Sequence, residues 1–219
     1  MSSKNEIVNR LRQGSATGRE YKDPQWKDED LFADFPEPSE NLTDIFSHQL
    51  NKLSGEFYLV NEKAEVIKVL KDLLGDVQPE QCKAHNSKLI DEMKNLDPEL
   101  EKYLTYIDGE EISSEKFAQL EVGITEAECL IARTGSILLN TRSAGGRRLS
   151  VLPPTHIVIA DENQIVPSLN DALIKLDLDQ DIWSYATIIS GPSRTSDIEK
   201  QLVLGAHGPK KLIVILLKN

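Results

Sequence analysis

The chain has 219 residues, of which 39% are hydrophobic and 28% charged, enough apolar material for one principal domain with a small appendage. Thirty-six acidic residues against 25 basic ones give a formal charge of −11, which excludes nucleic acid and anionic membrane surfaces as partners because like charge repels the phosphate backbone and anionic lipid. No apolar run approaches the ~20 residues that span a bilayer, and the opening MSSKNEIVNR lacks the apolar core of a secretion signal, so a cytoplasmic chain without a membrane span is expected.

Ile7, Val8 and Leu11 stand at helical spacing and predict an amphipathic helix ending near Gly14. Residues 23–40 are acidic and hold three prolines, yet include Trp26, Leu31, Phe32 and Phe35; they read as an extended arm whose aromatics dock on the body or on a neighbouring chain. Residues 1–40 are thus expected to form a helix and acidic arm, and 41–219 an α/β domain. An amphipathic helix over 42–53, a strand over 56–60 and a helix over 63–74 closed by Gly75 begin the alternation typical of such a sheet. Short helices are expected at 87–95 and 98–104.

Thr125 followed by Glu128 reads as a capping box opening a helix over TEAECLIA, after which Thr134 and Gly135 turn the chain into the strand SILLN. Strands are expected at 156–160 and over QIVP, a helix from Ser168 with Asp171 at its third position, and a strand YATIIS. The loop GPSRTS follows, with Ser196 and Glu199 as a further capping box for a helix DIEKQLVL.

That loop is the principal binding candidate. Helix-terminal amides, the helix dipole and Arg194 together favour an anion held by Gly191, Ser193, Arg194, Thr195 and Ser196 at the carboxyl end of a strand, and Thr134 and Gly135 are named as further anion-binding candidates. A tight turn with Arg194 paired to a surface acid is the plain alternative. Its spacing matches neither GxxxxGK[ST] nor GxGxxG. Glu121, Glu126 and Glu128 surround the start of the TEAE helix, suited to a general base or a partner for Arg194, although acids there also complement a helix dipole. Glu121 is least explained that way. His156 at a strand entrance and His207 between two glycines are candidate bases, the alternative being hydrogen-bonded structural residues. Arg142, Arg147 and Arg148 make a basic loop that could clamp an anion or meet an acidic subunit.

Cys82 and Cys129 are far apart and outside any CxxC pair, and no HxH, HxxxH or HxxE set occurs, so neither an iron–sulfur cluster nor a metal is expected on this chain alone.

The strings VGITEAECLIARTGSILL, RRLSVLPPTHIVIADENQIVP and GPSRTSDIEKQLVLGAHGPKKLIVILL, in this order over residues 122–217, resemble the lactate utilisation protein C family of LUD-domain proteins. The resemblance implies an α/β fold, a mixed or parallel sheet flanked by helices similar to the sugar-phosphate isomerase and CoA-transferase superfamily. It also implies a role in oxidising L-lactate to pyruvate beside two partner subunits that carry the iron–sulfur clusters, with a small carboxylate as the expected ligand. On that footing His156 or Glu121 would be the base and Arg194 the carboxylate fork. The loop over 141–148 is arginine-rich where relatives vary. Two further readings stay open: an independent enzyme of the CoA-transferase or phosphosugar-isomerase kind, with Glu121 or Glu128 attacking a thioester, and a non-catalytic assembly module docking through residues 23–40.

Overall fold

A computed structural model describes residues 41–107, 113–140, 148–176, 185–195, 203–204 and 208–218. The helix and arm expected over residues 1–40 lie outside the described residues, as do Arg142, Arg147, Ser196, Glu199 and His207.

Helix α1 (Leu42–Lys52) starts where the Asn41 side chain accepts from the Thr43 amide at 3.1 Å, and it buries Phe46 and Leu50 on one stripe. Strand β1 (Glu56–Val60) and helix α2 (Lys63–Leu74) follow at the bounds the pattern predicts. After β2 (Cys82–Ala84), Ser87 caps helix α3 (Lys88–Leu96) by accepting from the Ile90 amide; residues 98–102 form a 3-10 turn, not an α-helix. A one-turn helix α4 (Ser114–Phe117) then leads to β3 (Val122–Glu126).

The chain continues through β4 (Cys129–Ile131), a 3-10 turn Ala132–Thr134, β5 (Ser136–Asn140), β6 (Thr155–Asp161) and β7 (Ile165–Val166). Helix α5 (Leu169–Lys175) opens with the capping box of Ser168 and Asp171. Strands β8 (Ala186–Ile189), β9 (Arg194–Thr195), β10 (Val203–Leu204) and β11 (Lys211–Leu217) complete it.

Strands β1, β11, β6, β3 and β2 lie in that order in one parallel sheet. Period-two alternation places its side chains on two faces. Ile213, Ile215 and Leu217 of β11, with Ile157 and Ile159 of β6, meet α2 and α3 in one core; Leu212, Val214 and Leu216, with Val158 and Ala160, meet the other. A strand buried on both faces is necessarily a continuous apolar run, which is why KLIVILL closes the chain without alternation. The second core is shared with α1 and with a mixed sheet in the order β7, β4, β5, β8, in which β4 is parallel to β7 and antiparallel to β5. The fold is therefore α/β with sheets of both kinds flanked by helices.

One expected helix is replaced by strand, and of another only the last two residues are described. TEAECLIA is the end of β3 and all of β4: Thr125 turns inward toward β6 and cannot cap, while Leu130 and Ile131 pair with Ile137 and Ser136. Sheet pairing on both sides outweighs the local capping signal, a tertiary override of propensity. DIEKQLVL ends in β10, which pairs antiparallel with β9 in register Val203 to Thr195 and Leu204 to Arg194, so those last two residues belong to a ribbon.

Candidate functional site

Two segments named from the sequence, around Thr134 and around Arg194, converge at the end of α1. Gly135 closes the 3-10 turn in the left-handed region at φ 61°, and a Cβ there would lie 2.4 Å from the Leu50 amide nitrogen. Gly191, at φ 80°, packs against Leu53, with a Cβ position 2.9 Å from its carbonyl oxygen. Between them the hydroxyls of Ser136 and Ser190 are 2.7 Å apart, tying β5 to the residue after β8.

Arg194 is exposed and donates from Nη2 to the Leu53 carbonyl at 2.8 Å. Leu53 is the C-cap of α1, so the guanidinium meets the negative end of a helix. The α1 terminus beside Arg194 thus offers carbonyls, and the start of the helix expected from Ser196, whose amides were to hold the anion, lies outside the described residues. The Ser193 amide donates to Pro209 O at 2.8 Å and the Lys210 amide to Pro154 O at 2.7 Å, which puts the loop at the amino ends of β11 and β6. The carboxyl end on which it sits is that of β8, an edge strand of the mixed sheet. Thr134 is exposed and Ser193 half-buried in the same neighbourhood; Thr195 belongs to β9.

His156 is the second residue of β6, opposite Gly123 of β3, and is fully buried. Its Nε2 stands 2.9 Å from Thr125 Oγ1, and Nδ1 has no hydrogen-bond partner among the described residues. Burial pushes its pKa down to about 3, so the ring is neutral across the physiological range. Segment 148–153 packs against the facing Gly123: a Cβ there would fall 2.3 Å from the Leu149 carbonyl and 3.2 Å from Pro153 Cγ. The ring is thus an interior group held by Thr125, with no surface of its own exposed.

Glu121 is exposed just before β3, its backbone joined to Gln81 and Thr155, and it lines a cavity of about 380 Å³ with Asp76, Thr155 and Lys211. Glu128 lies beyond the other end of β3 and accepts at 2.8 Å from Nδ2 of the buried Asn140. A glutamate before β3 and one after it are separated by the length of the strand, about 17 Å, so they do not share a site. The Ser136 and Ser190 pair, the Thr125 and His156 pair and the Leu53 carbonyl were not legible as partners, because each joins residues far apart in sequence.

Cys82 and Cys129 fall in separate cores, and burial pushes their thiols up to about 12 and about 11. Among the described residues no three His, Cys, Asp or Glu side chains are grouped to hold a metal ion, and no helix is long and apolar enough to cross a membrane.

The family model described as LUD domain matches residues 43–217. The chain belongs to the LUD domain family. This LUD-domain chain is 37% identical over 115 residues to lactate utilization protein C of Bacillus subtilis, a match spanning 51% of the chain and 48% of that protein. It is 33% identical over 105 residues to an uncharacterised protein of Neisseria meningitidis serogroup B, spanning 48% of the chain and 45% of the relative. The match thus spans about half the length of these curated relatives. Among solved structures, a DUF162 family protein from Deinococcus radiodurans superposes with a TM-score of 0.57 at 21% identity, over 80% of this chain and 96% of the other, and so shares the fold.

Proposed function

We propose that this LUD-domain chain serves lactate utilisation as a subunit without clusters of its own, working beside two iron–sulfur subunits in the oxidation of L-lactate to pyruvate. Support for the pathway is the 37% identity to lactate utilization protein C. The observation that carries a role for this chain in holding the acid is the meeting of the Thr134 and Arg194 segments at one exposed place, braced by the Ser136 and Ser190 hydroxyls.

Here the Leu53 carbonyl acts as an anchor for the fork. A guanidinium has five N–H donors in a plane; one held by a fixed carbonyl orients the others, and a planar carboxylate matches two of them. The hydroxyl of Thr134 is the second donor. The α1 dipole weakens this anion site, so it suits a small monocarboxylate held with modest affinity, consistent with a substrate at metabolite concentration.

The test is lactate-dependent dye reduction by the three subunits purified together, with and without this chain, and with Arg194→Lys. Lysine keeps the charge and one bond to Leu53 O but loses the fork, so the KM for lactate should rise about tenfold with the fold retained. Full activity without this chain, or an unchanged KM in Arg194→Lys, would remove the carboxylate role.

A further inference from the structure

At the edge of the parallel sheet, away from Arg194, a cavity of about 500 Å³ is lined by Pro79, Glu80, Lys83, Lys102, Thr105, Lys116, Gln119 and Leu120. Its charge is the reverse of the chain's. Acids outnumber bases 36 to 25 overall, whereas three lysines and a single glutamate face this space among the described residues. None of the three lysines forms an ion pair among the described residues.

Each lysine is placed by a buried neighbour. Cys82 and Ala84 of β2 point into the core that holds α2 and α3, so Lys83 between them projects to the opposite face. Lys116 precedes Phe117, which is locked with Ile107, Leu120 and Leu149 in a small cluster of its own. Lys102 ends the 3-10 turn between the buried Leu100 and Leu104, with Nζ 5.1 Å from the centroid of the Tyr103 ring. Three lysines lining one space give a polyanion three cationic partners at once.

We infer that this cavity binds a small molecule bearing a pyrophosphate or bisphosphate group. Lysines approach as point charges from three separate elements, which suits tetrahedral groups with lone pairs in many directions; among the described residues no arginine lines the space to offer a planar fork to a carboxylate. Thr105 and Gln119 line the same space as polar residues, and Pro79 with Leu120 forms an apolar wall for the rest of the ligand. The volume falls within the range of small-molecule sites, roughly 300 to 1,000 Å³.

The probe is inorganic pyrophosphate, titrated calorimetrically into the 219-residue chain at low salt, with citrate as a carboxylate of similar charge. Pyrophosphate should bind saturably, more tightly than citrate, and more weakly as potassium chloride is raised. The triple variant K83Q/K102Q/K116Q should lose at least about tenfold in affinity, with Lys83→Gln alone losing about threefold should the triple variant fold poorly. No saturable binding by the wild type, citrate binding as tightly, or unchanged affinity in a folded lysine variant would each overturn the assignment. None of these outcomes depends on lactate, so the site stands or falls apart from the function proposed for Arg194.

Discussion

Gly135→Ala is expected to lower the free energy of unfolding by about 3–5 kcal/mol, a loss in the range reserved for overpacked or strained positions. Two effects add at this residue. Its φ of 61° is left-handed, which costs a residue with a Cβ about 1–2 kcal/mol. The added methyl would also sit 2.4 Å from the Leu50 nitrogen and 2.6 Å from the Gln49 carbonyl carbon. Both are backbone atoms in the last turn of α1, so no rotamer change relieves the contact. The helix must back away from the Ala132–Thr134 turn, and Phe46 and Leu50, both fully buried, lose packing with it.

Gly75→Ala is the matched control. Gly75 has an ordinary right-handed backbone, and its nearest approach to a new methyl is 3.6 Å, so stability should change by less than about 1 kcal/mol. Urea unfolding of the two variants decides the matter. A loss below about 1 kcal/mol in Gly135→Ala would mean that the two segments are not in contact, and the convergence on which the carboxylate site depends would go with it.

His156 should make the protein sensitive to mild acid. Its folded pKa is about 3 and its ordinary value 6.5, so below pH 6.5 the unfolded chain binds a proton that the folded chain refuses. The contribution is complete above pH 6.5 and is lost as pH falls toward 3, at about 1.4 kcal/mol per unit once the unfolded imidazole is charged. Between pH 7 and pH 5 this one side chain accounts for about 2 kcal/mol. His156→Gln keeps a polar group beside Thr125 and carries no titrating proton. It should be less stable than wild type at pH 7, because a fitted ring is lost from the core, and the gap should narrow by about 2 kcal/mol at pH 5. Stability curves that stay parallel from pH 7 to pH 5 would show that the ring is not held neutral.

Local chemistry wrote much of the fold into the sequence. Ser168 with Asp171 opens α5 as their spacing requires, α2 ends at Gly75, and SILLN is β5 over its whole length. In each, propensity, capping and burial favour the same answer. Where they disagreed, the local signal misled. Thr125 and Glu128 carry a capping box, yet the hydroxyl of Thr125 faces His156 and Glu128 takes its bond from Asn140, because β3 lies between β2 and β6 and must pair with both.

The same division runs through the candidate sites. Arg194, Thr134, Gly135 and Gly191 could be named from residue type, and the three quoted blocks pointed to the family whose model spans residues 43–217. Their grouping around the end of α1 could not, since a sequence states which groups exist and only packing states which of them meet. His156 makes the point most sharply: an imidazole at a strand entrance reads equally as a base or as an internal residue, and its pKa is a property of what surrounds it. Full burial in the sheet, beside Thr125, is what decides it here. Lys83, Lys102 and Lys116 likewise attract no notice along the chain, and become a site only where an edge strand, a 3-10 turn and a one-turn helix bring three like charges around one space.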